Sequence, residues 1–344
     1  MGGFEIGISG LHAAQNALDI IGNNIANAAT EGYHRQTVDM RPLDDVFTSG
    51  ILLGQGVDVK RVKREIDELL DNEIFSKESE IAQINRELES LMTIESAFGE
   101  LSTSALSTAM DDFFNALHKL SQSPDEVSYK SQVESTARAL CSQMQSIGST
   151  VADLESQTYK EAQNVAGDIN TLAEQIAELN KKIYRESVKG ETPNNMLDQR
   201  DRLINELAQL VNVTTYSREH NIKDVSVANI PIVVSSYVTE VEVGLQTNGD
   251  NHDLVISMKD AGNWSTEVTG GRLGALFSLR NSILRDIKSG LDDVARSIIF
   301  ETNIFNIYNV VYFPVFLYMV FLFVYNYYCY KNKSEFFLIH TAKY

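Results

Sequence analysis

The feature of this sequence that most constrains its fold is a long stretch of helical periodicity between Ser128 and Ser187. At a rise of 1.5 Å per residue, an unbroken helix over this stretch would be about 90 Å long. Helices of that length are typical of rods, bundles and spacers and not of compact enzymes. Two apolar stripes follow one another along it: Leu140, Met144, Ile147, Val151 and Leu154, then Val165, Ile169, Leu172, Ile176, Leu179 and Ile183.

Shorter helical segments are predicted on both sides of this long helix. From Glu65 to about Leu120, apolar residues return at the a and d spacing of a coiled coil, and Pro124 then ends the segment. A further bundle helix is predicted to begin near Asn195. The a/d stripe of the first of these segments consists of Leu70, Ile74, Ile81, Ile84, Leu88, Leu91 and Phe98.

β-Structure is predicted in two places. Alternating apolar and polar residues in 37–64 indicate a hairpin or extended connector, and β-branched runs in 213–270 indicate a small antiparallel β domain. A return helix is predicted over 271–299. The predicted fold class is therefore mainly α with a smaller antiparallel β part. It comprises an elongated long-helix bundle (residues 65–212), an N-terminal axial helix, a β-hairpin and a small β domain.

Residues 1–36 are predicted to form an amphipathic helix that ends in a turn. One face carries Leu11, Leu18 and Ile25 at intervals of seven, whereas the opposite face is polar and carries little charge. Such a narrow apolar stripe suits packing against another helix. Because a lone helix this short and polar is marginal in water, we expect residues 1–30 to be mobile in an isolated monomer.

The end of this N-terminal helix carries a long turn signal, which we call the turn cassette. Asparagine side chains compete for backbone hydrogen bonds and Gly32 permits a positive φ, so the helix should stop near Ala28. The cassette resembles the N-terminal signature of the flagellar axial proteins, which include the rod, hook and hook-associated proteins. Its matching residues are Asn23, Asn24, Ala26, Asn27, Thr30, Gly32 and Tyr33.

Two further segments narrow the resemblance. The Leu-Asp-Gln-Arg-Asp run at 197–201 and the glycine-rich run at 270–276 resemble segments of the hook-associated protein 1 family, which joins hook to filament. This resemblance implies a secreted structural subunit of the bacterial flagellum, handled by an export chaperone and the flagellar type III export apparatus. It implies assembly with copies of itself, with the hook protein and with the second junction protein. It also implies that the apolar stripe and the turn cassette lie at the axial contacts.

Composition and motifs argue against other classes of protein. The net charge of −18 disfavours binding to nucleic acid or to anionic membranes. The sequence has no phosphate-binding loop, dinucleotide-binding, metalloprotease or paired-cysteine motif, so we expect no enzymatic activity, no cofactor and no metal site. The six histidines are predicted to be surface or turn residues. An exposed, salt-bridged helix face is predicted from alternating charges at Asp198, Arg200, Asp201, Arg202 and Glu206.

Residues 300–344 depart from the resemblance. They contain an apolar run at 304–330 that is nominally long enough to span a bilayer. They lack the further β domains and the C-terminal amphipathic helix that the resemblance implies. Two interpretations remain open: a C-terminal membrane anchor, or a truncated or frame-shifted product whose tail is translated AT-rich sequence. The abundance of Phe, Tyr, Asn, Ile and Lys, which AT-rich codons encode, favours the second.

Two alternatives to a junction protein follow from these patterns. The first is another flagellar axial protein, a hook or distal rod subunit, although the long helical stretch argues against it. The second is a tail-anchored coiled-coil membrane protein, which requires the run at 304–330 to insert into a bilayer.

Overall fold

A computed structural model of the chain describes residues 3–44, 46–48, 51–99, 106–248 and 251–307. Most of the predicted tail, residues 308–344, therefore lies outside the described residues, and with it nearly all of the apolar run. Within the described ranges, no helix combines the length and apolar character needed to cross a membrane.

The predicted fold class is confirmed: helices dominate, and the strands form small sheets. The helices are α1 (Gly3–Ala26), α2 (Glu68–Phe98), α3 (Leu106–Gln122), α4 (Val127–Val188), α5 (Asn194–Leu210), α6 (Gly271–Ser278) and α7 (Leu284–Ile307). The strands are β1 (Gln36–Pro42), β2 (Val46–Thr48), β3 (Ile51–Leu53), β4 (Val57–Arg64), β5 (Val213–Ser217), β6 (Lys223–Val227), β7 (Ile230–Val234), β8 (Tyr237–Val238), β9 (Val241–Asn248) and β10 (Asn251–Met258).

The helical segment predicted from Glu65 to Leu120 differs from the structure in two respects. Helix α2 ends at Phe98, and Gly99 follows with φ of 65°, a left-handed conformation that a glycine adopts without strain. The a/d stripe of α2 is also not a buried seam between Leu70 and Leu91, because its large apolar side chains there are exposed. The side chain of Ile81, for example, is 53% exposed, whereas Phe75 on another face of α2 is 6% exposed. Phe98, at the end of the stripe, is half-buried and packs against a core cluster that includes Ile94.

The return segment after the β domain is longer than predicted. Helix α6 passes through a π-helical turn at Leu279–Ile283 into α7, which continues to Ile307 and not to 299. The turn presents two polar side chains to strand β10 and its surroundings. Arg280 donates to the carbonyl oxygens of His252 and Glu155, and Asn281 pairs with both backbone groups of Leu254.

The first sheet is the predicted hairpin, with one addition. Strands β1 and β4 pair antiparallel from Gln36 opposite Arg64 to Pro42 opposite Val57, with an irregularity after Asp39. Between them, the short strands β2 and β3 pair antiparallel, and this second pair was not predicted from the sequence. The β domain contains an antiparallel sheet in the order β5-β6-β7-β8 and a separate pair, β9 and β10.

The chain divides into two compact units, each with its own apolar packing. The first consists of Met1–Ile84, Ala162–Leu245 and Val255–Ala275, and its core includes a cluster of Leu179, Ile183 and Leu197 between α4 and α5. The second consists of Asn85–Glu161, Gln246–Leu254 and Leu276–Tyr344. Its main core joins α3, α4 and α7 through Phe113, Ala116, Leu120, Val133, Ala137, Leu140 and Ile298.

Candidate assembly site

Helix α1 presents two different faces within the first unit. It contacts strands β1 and β4. Two of its small residues lie on the packed side: Ala13 is 4% exposed, and Ser9 Oγ accepts a hydrogen bond from the Val57 N–H at 3.2 Å. The predicted stripe lies elsewhere on the helix. Leu11 and Leu18 are each 67% exposed and Ile25 is 72% exposed, so the stripe of α1 faces solvent.

The turn cassette fastens α1 to the hairpin through Asn24. Its Nδ2 donates to the Gln36 carbonyl oxygen at 2.8 Å, and its Oδ1 accepts from the Gln36 N–H at 2.9 Å. The Tyr33 hydroxyl donates to the same Oδ1 at 2.9 Å. A helical side chain thus satisfies both backbone groups of the residue that begins β1, which fixes the angle between α1 and the hairpin.

The other cassette residues shape the turn itself. The Asn27 side chain donates to the Asn23 carbonyl oxygen at 3.0 Å, and Thr30 Oγ1 donates to Asn27 Oδ1 at 3.3 Å. Gly32 has φ of 70°, and a Cβ there would lie 2.2 Å from Arg202 Cγ. The position therefore requires glycine both for its backbone conformation and for space. The side chains of Asn23 and Ala26, by contrast, are exposed.

Beneath the cassette lies a buried group of charges that we call the Arg64 cluster: Arg64, Asp198, Arg200, Asp201 and Lys223. The guanidinium of Arg64, at the end of β4, donates from Nη1 to Asp198 Oδ1 at 2.6 Å and from Nη2 to Asp201 Oδ2 at 2.7 Å. Lys223 Nζ lies 3.3 Å from Asp201 Oδ1. The cluster thereby connects the hairpin to α5 and to strand β6.

The geometry of the cluster offsets part of the cost of burying its charges, although the buried Nε of Arg64 has no hydrogen-bond partner among the described residues. Each of the five residues is at most 7% exposed. Burial would raise the pKa of Asp201, but the neighbouring cations Arg200, Lys223 and Arg64 hold that pKa below its ordinary value of 3.8. Asp201 is therefore ionised at neutral pH and satisfies the cations around it. Buried ions need such partners, because an unpaired buried charge is strongly destabilising.

The prediction of an exposed charged face on α5 is wrong for Asp198, Arg200 and Asp201. It holds for Arg202 and Glu206, which are exposed. The helical spacing of α5 already indicated that Asp201 is buried, because this residue falls on the apolar stripe of the helix. Leu197, Asp201, Ile204 and Ala208 recur at intervals of four, three and four, and all four are at most 5% exposed.

His34 connects the turn cassette to the Arg64 cluster. The residue follows Tyr33 directly, and its Nδ1 lies 2.9 Å from Asp198 Oδ1. Its other ring nitrogen, Nε2, lies 3.8 Å from Asp71 Oδ1 of α2. The prediction of a simple surface or turn residue missed these contacts, since the side chain is only 20% exposed.

Taken together, these contacts make a rigid base for one exposed surface. Hydrogen bonds and buried ion pairs join the hairpin, α5 and β6, and Asn24 ties α1 to that base. The stripe of α1 points outward from this base. This arrangement offers no nucleophile paired with a base, and it is suited to holding an apolar helix face in a fixed position.

Comparison with known proteins identifies the family. The model of the flagellar hook-associated protein FlgK helical domain matches residues 91–307 of the 344. The chain belongs to the FlgK family of flagellar hook-associated proteins. A second model, that of the flagella basal body rod protein, matches residues 4–34, which include all of α1 but its first residue and the turn cassette up to Tyr33.

Individual relatives agree with this assignment. Flagellar hook-associated protein 1 of Escherichia coli (strain K12) is 28% identical over 300 residues, covering 84% of this chain and 54% of that protein. Its counterpart in Bacillus subtilis (strain 168) is 30% identical over 218 residues, covering 61% of this chain and 43% of that protein. The chain therefore spans about half the length of the curated relatives that it matches.

A solved structure supports the fold. The flagellar hook junction protein FlgK from Burkholderia pseudomallei superimposes with a TM-score of 0.57 at 21% sequence identity. The match covers 67% of this chain and 43% of that one.

Proposed function

We propose that this chain is a structural subunit of the bacterial flagellum at the hook–filament junction. The observation that carries the proposal is the stripe of α1, with Leu11, Leu18 and Ile25 exposed on a helix whose other side is fastened to a hairpin. A large apolar surface on a helix held in place is typical of an interface that is covered on assembly. In this role the chain is not an enzyme, and the residues of the stripe and the cassette serve assembly.

The partners follow from the position in the flagellum. We infer that the stripe packs against helices of neighbouring axial subunits, including copies of this chain, and that the chain contacts the hook protein and the second junction protein. Reaching that position requires secretion through the flagellar type III apparatus with an export chaperone. The relatives' names, which refer to the hook, support the location. The match of residues 4–34 to a rod protein model supports an axial placement.

The proposal is tested by adding the purified chain to isolated hook–basal bodies whose hooks lack junction proteins. Immunogold labelling should place the chain at the distal end of the hook. A double variant, Leu11→Gln with Leu18→Gln, should lose this labelling because it makes the stripe polar. The matched control is Gln15→Ala, an exposed position on the polar face of the same helix, which should label the hook like the unaltered chain.

Other outcomes separate the alternatives. Labelling along the whole hook or at the rod would favour a hook or distal rod subunit. Binding to lipid vesicles without binding to hooks would favour the tail-anchored membrane protein. Equal labelling by the double variant and the control would show that the stripe is not the assembly surface.

A further inference from the structure

His34 occupies an unusual position, because each of its two ring nitrogens faces a carboxylate from a different helix. Nδ1 lies 2.9 Å from Asp198 Oδ1 on α5, and Nε2 lies 3.8 Å from Asp71 Oδ1 on α2. A neutral imidazole carries one N–H and can donate to only one of them, whereas an imidazolium donates to both. The neutral ring therefore turns a lone pair toward one of the two carboxylates.

The second carboxylate lacks the partners of the first. Asp198 is held by Arg64 at 2.6 Å, but the buried Oδ2 of Asp71 has no hydrogen-bond partner among the residues that the structure describes. A buried carboxylate oxygen without a partner is costly. Protonation of His34 would place a positive charge beside this carboxylate and offset that cost.

We propose that His34 is a pH-dependent latch that, when protonated, clamps the end of the turn cassette between α5 and α2. The charged groups that face it are Asp198 of α5, Asp71 of α2 and Arg64 of β4, two carboxylates against one guanidinium. The latch is independent of the proposed role in the flagellum, because it rests only on contacts within the first unit.

The sign of the pH dependence follows from the same neighbours. The hydrogen bond with Asp198 raises the pKa of His34 above its ordinary value of 6.5, and the charges of Asp198 and Asp71 act in the same direction. Partial burial and the charge of Arg64 oppose them but do not reverse the shift. A raised pKa in the folded state means that the latch contributes fully below pH 6.5. Its contribution is lost as the pH rises through the folded-state pKa.

The experiment combines an NMR titration with amide exchange on the full chain. The ring signal of His34, assigned by its absence in His34→Gln, should titrate at a higher pH than a histidine in an unstructured peptide. In Asp71→Asn, which keeps the shape but removes one charge, its midpoint should fall. The opening constant of the β1–β4 amides, corrected for intrinsic exchange, should increase severalfold as the pH rises through that midpoint.

The variants decide whether His34 is responsible. In His34→Gln the opening constant should not change with pH, because a glutamine amide does not titrate. His12→Gln, at an exposed histidine of α1, is the matched control and should behave as the unaltered chain. The proposal is overturned by a His34 midpoint at or below that of a histidine in an unstructured peptide. It is also overturned by an unchanged midpoint in Asp71→Asn or by the same pH dependence in His34→Gln. If His34→Gln does not fold, the two titrations decide alone.

Discussion

Helices α1 and α5 invert the usual relation between polarity and burial, and they do so in opposite directions. Leu11, Leu18 and Ile25 of α1 are more than 60% exposed, whereas Asp198, Arg200 and Asp201 of α5 are at most 5% exposed. The two helices belong to the same unit and are connected through the hairpin. One helix exposes an apolar surface, which we propose is covered by a partner, and the other provides the polar interior that fixes the base beneath it.

This contrast shows where each helix obtains its stability. The α5 helix is held in part by buried ion pairs. Loss of one partner is costly there, because it leaves a buried charge without its counter-ion. The α1 helix is held through Ala13, Ser9 and Asn24. The large apolar side chains of its stripe are exposed, so they add little hydrophobic free energy to the stability of the monomer. Substitutions at the two helices should therefore have effects that their residue types alone would not suggest.

The largest expected effect is that of Asp201→Ala. Removing this carboxylate leaves Arg200, Lys223 and one Nη group of Arg64 buried without a counter-ion, which should destabilise the first unit by about 3–5 kcal/mol. The measurement is the free energy of opening of the slowest-exchanging α5 amides. The matched control is Glu206→Ala, an exposed carboxylate on the same helix, which should change it by less than about 0.5 kcal/mol. Equal effects of the two substitutions would contradict the role of the cluster.

The cluster should also respond to acid, in a direction opposite to the latch. Because the pKa of Asp201 is lowered on folding, its contribution is present above its ordinary value of 3.8 and is lost as the pH falls through the folded-state pKa. Acid unfolding of the unaltered chain should therefore be steeper than that of Asp201→Asn, as followed by circular dichroism. A variant that unfolds with the same steepness would show that other carboxylates govern the transition.

An intermediate effect is expected for Asn24→Ala. The substitution removes the side chain that pairs with both backbone groups of Gln36 and accepts from Tyr33, and it should cost about 1–3 kcal/mol. The loss should appear as faster exchange at the start of β1. Asn23→Ala, one position away with an exposed side chain, should leave that exchange nearly unchanged. A similar effect at both positions would mean that the cassette acts through the turn sequence and not through the amide pair.

The sequence was sufficient to predict the elements that depend on local periodicity. The long helix was expected over 128–187 and spans Val127–Val188, since a sustained 3.6-residue period has no other regular interpretation. The β-branched runs likewise correspond to strands. The break after Phe98 was missed because the apolar period continues across it, although Gly99 was a visible signal.

The burial of charge could not be read from local patterns, because it depends on residues distant in the sequence. Arg64 and Asp198 are 134 positions apart, and only the fold brings them together. The asparagines of the turn cassette were interpreted as turn residues because the local sequence does not show which distant backbone groups they contact. In the structure, Asn170 pairs with the backbone of Val241 as Asn24 does with Gln36, so helical asparagines serve as attachments to strands. The direction of the α2 stripe also depends on packing that periodicity alone does not specify.

The smallest effect on stability is expected where hydrophobicity scales predict a large one. In the monomer, Leu11→Gln with Leu18→Gln should change the free energy of unfolding of the first unit by less than about 0.5 kcal/mol per site, because both side chains are already largely in water. Denaturant unfolding followed by circular dichroism measures this change. The amides of α1 should exchange faster than those of α5 in dilute chain, since α1 has few buried side chains to hold it. Addition of hooks should slow the α1 amides in the unaltered chain but not in the double variant. A large loss of monomer stability in the double variant would mean that the stripe is already covered within the chain, and the contrast between the two helices would then fail.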